Sequence, residues 1–461
     1  MKKNRRNTLI SILLSASLLG FTANPLNELH SPMVHAAMVK QNVPAKPSGS
    51  SSSSTNLQGD KTVTSKTTVS DDKASSDKAN HSAFLVKRGG SLTLNNSVIA
   101  KTGETTSEDN SNFFGQNAGL LVTNGGTANV NNLTETTSGN GANAVFATGS
   151  NSTIKLNNAK INTTKNSSRG LDATQKGTIT ATNTNISTNG SHSATLATDR
   201  GGGTVTLNTG NLKTTGDGSP IIYSTGKINV KNVQGNASGA EAAVIEGANN
   251  INAVDSHLTA NKNNGVMLYQ SMSGDSEEGT ASFTMKGGSL TSKVTDGSKG
   301  TTNHTGALFY VTNTKANVNL NNVKLTNTSD TLIRAAGDRW GTSGSNGGKL
   351  TFTATKQTLA GNVEVASGSS VNLTLKDGSS LTGSINSANT KGTTKLTLGS
   401  NSTWTVTKDS HLTTLIASKT SLKNIKSNGH TIYYDKNSSS NSWLDGQTYK
   451  LSGGGKLTPA S

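Results

Sequence analysis

The densest group of side chains able to do chemistry is Arg334, Asp338, Arg339 and Trp340, gathered within one short segment. A Trp face can stack on a sugar ring while Arg and Asp bond its hydroxyls, so this group is a candidate ligand contact. The plainer expectation is a surface loop whose Trp covers an apolar patch. Elsewhere the chemistry is thin. Cleaving a glycosidic bond needs two or three carboxylates on one face within several ångströms. The acids between the repeats' ends are Asp172, Asp199, Asp217, Asp255, Asp330, Asp338, Glu135, Glu241 and Glu246. Laid on the repeat described next, Asp172, Asp199 and Asp255 fall at different positions and are not expected to meet. The eight histidines show no metal-ligand spacing. No G-x-S-x-G elbow is present. Gly201, Gly202 and Gly203 precede neither a helix nor a Lys-Ser/Thr pair, so they form no phosphate loop. No catalytic, metal or cofactor-binding residue is expected, and no cofactor.

The elements that would carry these residues come from a repeated phrase. A small residue leads an apolar triplet, a Gly-rich turn follows, and then comes an alternating strand ending in Asn. Copies start at residues 83, 119, 144, 170, 194, 220, 243, 265, 307 and 331, and seven of the nine intervals span 22 to 26 residues. A period of that length without a helical stripe implies a solenoid of strands. Leu92-Thr-Leu94, Ile154-Lys-Leu156 and Val318-Asn-Leu320 alternate apolar and polar residues, as half-buried strands do. The recurrent Asn96, Asn132, Asn158, Asn183, Asn232 and Asn322 mark a bend, because Asn tolerates the left-handed conformation. Thr209, Asp255 and Gly287 occupy the same position in other copies. Stacked bends would let the amides bond along the rod. The two long intervals hold acidic inserts, at 104–117 and at 271–279 with 296–303, which are expected to protrude as loops.

The ends differ from the repeats. Lys2, Lys3, Arg5 and Arg6 precede the apolar stretch 9–21, and Val34-His35-Ala36 offers small residues before a cut. Residues 1–36 therefore read as a secretory signal. Residues 37–80, with a serine run at 48–54, read as a flexible linker, although Val63 and Val69 could add a ragged first strand. Residues 81–402 are the solenoid and 403–461 a C-terminal β cap, where Tyr433, Tyr434, Trp443 and Tyr449 would close the last coil. The chain has no Cys, so neither a disulfide framework nor a lipidated cysteine holds it. No apolar run after the signal is long enough to cross a membrane. Formal charge is +16, and +13 without the signal's net +3. The lysines are spread out. A solvated surface explains them, and so does attraction to an anionic polymer. No aromatic stacking platform accompanies them, which argues against nucleic acid.

These coils, with their Gly-Gly and Leu-x-Leu-Asn-Asn phrases, resemble the right-handed parallel β-helix of pectin-lyase-like proteins and of pertactin-like autotransporter passengers and adhesins. The phrase Ser402-Thr403-Trp404-x-Val406-Thr407-x-Asp409-Ser410-x-Leu412 resembles the end of such passengers. Leu451-Ser452-Gly453-Gly454-Gly455-Lys456-Leu457 resembles the Leu-x-Gly-x-Gly segment that follows it there. Passengers continue into a membrane barrel, and this chain does not show one. The resemblance implies an all-β, single-stranded right-handed parallel β-helix with a C-terminal β cap. It implies a secreted or cell-surface binding and structural module of adhesin type. Its expected partners are an anionic cell-wall polymer or a host glycan or protein, contacted by a monomeric rod about 14 coils and roughly 65–70 Å long at about 4.8 Å per coil. The alternative implied by the same fold is a polysaccharide-degrading lyase or glycoside hydrolase.

Overall fold

The computed structural model describes residues 56–295 and 304–460. The expected signal, residues 37–55 of the expected linker and the 296–303 part of the second insert lie outside them. The chain winds as a parallel β-helix. Each coil contributes a short strand to a sheet of 12 strands that starts at Gln58–Val63 and ends at Asn362–Val365. After a turn it contributes a longer bent strand, such as Thr127–Thr137, to a second ladder.

Register explains the alternation read from the sequence. Leu92, Ala128, Ile154, Ile179, Val205, Ile228 and Ile251 stand directly above one another. All seven are buried in one continuous core. A coil alone could not bury such a row, whereas its neighbours above and below complete it. The small residue that opens each phrase has a steric reason. A Cβ at Gly170 would come within 2.4 Å of Ile186, and one at Gly119 within 1.7 Å of Glu135. The bent strand's side chains occupy that space.

The Asn positions are bends. Asn96, Asn132, Asn158, Asn183, Asn232 and Asn322 have φ between 49° and 60°. Asn132 Nδ2 donates to Asn96 Oδ1 at 2.8 Å, Asn158 to Asn132 at 2.6 Å and Asn183 to Asn158 at 3.1 Å. Thr209, Asp255 and Gly287 take the same left-handed conformation.

Two expectations change. Residues 58–76 belong to the solenoid: Gln58–Val63 pairs with His81–Val86, while Lys66–Ser70 and Lys73–Ser76 pair with Ser91–Lys101. Their polarity reflects an end coil with much of its surface exposed. The described insert residues, 104–117 and 271–279, are also tied down against the solenoid instead of protruding. In the 12-stranded sheet, strands such as Leu120–Thr123 and Leu171–Thr174 are buried at every position. One face meets the core, and the other is covered in part by the described insert residues and in part by the Trp340 segment. At the C-terminus, Tyr449–Lys450 turns back antiparallel on Lys456–Pro459 and ends the parallel winding.

Candidate functional site

The outward column of the 12-stranded sheet runs Leu121, Phe146, Asp172, Ala197, Tyr223, Val244, Met267 and Tyr310. The first insert forms a short helix, Glu108–Phe114, that lies across it. Ser107 caps its start, accepting from Asn110 N–H, and Gly115, at φ 70°, ends it against Phe146. Thr174 Oγ1 donates to the Phe113 carbonyl at 2.8 Å. Ser167 donates to Glu108, and Arg169 to Asn112.

Beneath this helix three ionisable side chains meet. Arg169 Nε lies 3.2 Å from Asp199 Oδ2 and 3.9 Å from Asp172 Oδ2, and all three residues are buried. Burial and the neighbouring Asp199 carboxyl push the Asp172 carboxyl well up. Burial pushes Asp199 up too, against the pull of Arg169. Burial opposes the Arg169 charge, but Asp199 and Asp172 outweigh it and hold the guanidinium protonated. The expectation that Asp172 and Asp199 stay apart is therefore wrong. They sit on neighbouring coils, and Arg169 draws both to one point. The signal in the sequence was Arg169 three residues before Asp172, with Asp199-Arg200 one coil later.

The second insert is tied down beside the first. Arg200 Nε donates to Asp275 Oδ1 at 3.0 Å, and its guanidinium lies 3.8 Å from the Phe113 ring centre. Glu246 accepts from the hydroxyls of Tyr223 and Tyr269, each at 2.7 Å, and from Ser271. Burial raises the Glu246 carboxyl despite these donors.

The sequence-derived ligand group lies on the same covered face. Trp340 is 2% exposed, its ring centre 4.9 Å from that of Tyr269 and stacked under Arg339 at 4.8 Å. Asp338 accepts from Tyr310 at 2.7 Å, and Arg334 pairs with Glu364 at 2.8 Å. The Trp covers an apolar surface rather than presenting a face to a sugar. Among the described residues no group of three or more His, Asp or Glu is placed to hold a metal, and no helix is long and apolar enough to cross a membrane.

The bent strands form the other broad surface. Their outward positions stack Thr93, Asn129, Lys155, Thr180, Thr206, Asn229 and Asn252 in register. Apart from His257, every exposed titratable side chain in these paired strands is a lysine. They include Lys73, Lys155, Lys160, Lys213, Lys227, Lys231, Lys286, Lys315, Lys349 and Lys395. The single acid, Glu135, points into the core. Lys315 and Lys349 are direct cross-strand neighbours. Like charges so placed oppose folding slightly, and a bound anion would relieve them.

Comparison with known protein families, curated proteins and solved structures finds no match to this chain.

Proposed function

We propose that this chain is a secreted, non-enzymatic binding rod of adhesin type, held at a cell surface by contact with a repeating anionic polymer. The observation that carries this reading is that the exposed charges within the bent strands are all lysines. Lysines on successive coils repeat about every 4.8 Å or a multiple of it, so a long polyanion can engage many at once. Lysine is a compact point charge, suited to anions spread along a chain rather than to a forked carboxylate contact. The resemblance of the Trp404 phrase to the end of adhesin passengers supports the same class.

The test is retention of residues 37–461 on immobilised poly(glycerol phosphate) and on polyuronate through a salt series. Binding at low ionic strength that weakens steadily with added salt is expected. No retention at low salt, or retention indifferent to salt, overturns the reading. The competing reading, a polysaccharide-cleaving enzyme, draws on the meeting of Asp172 and Asp199. Their burial under an insert argues against it, and new reducing ends from a polyuronate would revive it.

A further inference from the structure

The flank that follows the Asn bend is broken in one place. Along it, His257–Ala260, Ser289–Ser292 and Lys324–Asn327 pair in register. The next coil's segment, Thr358–Ala360, pairs with Ser380–Thr382 ahead of it but begins a separate sheet and does not pair with Lys324–Asn327 behind it. The other two flanks stay paired at this point, one in register, with Asn317 facing Thr351, and one through a register shift between Thr331 and Ile333, with Ile333 facing Val363. Part of the break is filled by the Gln357 side chain, which is 2% exposed. Its Oε1 accepts from Val323 N–H at 2.9 Å, and its Nε2 donates to the Val323 carbonyl at 2.5 Å. One side-chain amide thus stands in for a peptide group of the missing ladder. A core position given to Gln has a clear reason here, since an apolar residue would leave both Val323 groups without partners.

Over the break lies a groove of roughly 1220 Å³ that reaches from the coil of Asp255 to that of Lys408. Those residues lie on six successive coils, so five steps give a length of about 24 Å along the rod. Lys324, Lys356 and Lys408 line it, and all three are exposed. Its acids are Asp255 and Asp330. Asp330 is already engaged: Oδ2 lies 3.9 Å from Lys408 Nζ and accepts from Asn362 Nδ2 at 3.2 Å. The rest of the lining mixes Thr, Asn and Ser side chains and backbone with His257, Leu325 and Ala360; Thr358 and Thr382 are exposed, and no Phe, Tyr or Trp takes part.

We propose that this groove seats one strand of a linear, hydroxyl-rich chain that carries anionic groups at intervals, and that it is the short-range recognition site of the rod. This rests on the polymer-binding reading above. The length and direction of the groove suit a chain laid parallel to the rod. The three lysines favour anions on that chain, and the Thr and Asn lining bonds hydroxyls between them. Leu325 and Ala360 offer apolar surface between the polar groups, against which the carbon skeleton of such a chain can lie. Polyol phosphates and polyuronates share the required chemistry.

The test uses oligomers too short to span the lysine face: a short glycerol-phosphate oligomer, a short oligouronate and an oligoglutamate, each titrated into residues 37–461 by calorimetry. One of the first two should bind with one-to-one stoichiometry, and which of them binds identifies the source. Replacing Lys324, Lys356 and Lys408 by Ala should weaken that binding about tenfold or more, as three exposed ion pairs would. Thr382→Trp fills the groove without changing its charge and should have a similar effect. Replacing Lys155, Lys160, Lys213 and Lys227 by Ala should leave the oligomer's affinity unchanged while weakening retention on the long polymer. The groove assignment is overturned if neither oligomer binds while the long polymer does. It is also overturned if Thr382→Trp changes nothing, or if oligoglutamate binds as well as the hydroxyl-bearing oligomers. Loss of long-polymer retention in the unaltered chain would instead overturn the parent reading.

Discussion

The guanidinium of Arg200 lies 3.8 Å above the Phe113 ring, and the same group binds Asp275. Phe113 belongs to the first insert and Asp275 to the second. Arg200, in the turn that follows Leu196–Thr198, therefore fastens both. The inserts are expected to loosen together. In Arg200→Ala, amide exchange should quicken in residues 104–117 and in 271–279 alike, with the 12-stranded sheet still protected. Faster exchange confined to the second insert would show that the two are held independently.

Glu135 sets a pH dependence. Burial pushes its carboxyl up to about 8 from the ordinary 4.5 of a glutamate, and neither oxygen has a hydrogen-bond partner. Between those values the folded chain keeps a proton that the unfolded chain has released. Its contribution is therefore full below about pH 4.5 and is lost as pH rises toward 8, at roughly 1.4 kcal/mol per pH unit. Glu241, raised to about 7 by burial, acts in the same direction. Urea midpoints should fall from about pH 5 to about pH 8, and Glu135→Gln should flatten that fall. A variant whose midpoint falls as steeply as the parent's would place the titration elsewhere.

Thr209 holds φ 63° in the bend column, between Asn183 and Asn232. A β-branched residue is strained there, and its side chain supplies no amide to the stack. Thr209→Asn should raise stability by about 1 kcal/mol, read as a higher Tm or urea midpoint. A neutral or destabilising result would mean that the amide stack contributes little beyond backbone fit.

What could be read from the sequence was what neighbouring residues decide locally. The Asn bends follow from one residue type's tolerance of a left-handed φ, and the alternating strands follow from a period of two. The coil at 58–76 was obscured because Lys66–Ser70 and Lys73–Ser76 hold few apolar residues; the hydrogen bonds of the next coil order them. The charge cluster was harder still. Whether Asp172 and Asp199 meet depends on which outward positions lie under the Glu108–Phe114 helix, and no period in the sequence records where an insert folds. Trp340 was ambiguous for the same reason. Its ring could have faced solvent or sheet, and Tyr269 on an earlier coil decided it. The groove was invisible, since it arises from a pairing that is missing.

The paired bent strands and the inserts carry exposed charges of opposite sign. Lysines crowd the bent-strand side, while Glu104, Asp109, Glu277 and Glu278 stand exposed on the inserts over the 12-stranded sheet. Strands and inserts thus give the rod a bias in charge across its width, which Asp71, Asp255 and Asp377 beside the bent strands and Arg339 on the covered face reduce. On a negatively charged layer it has a preferred roll angle as well as a preferred site: lysines down, inserts toward the medium. A population of such rods would settle with one flank outward, turning a coat of single molecules into a surface of uniform face.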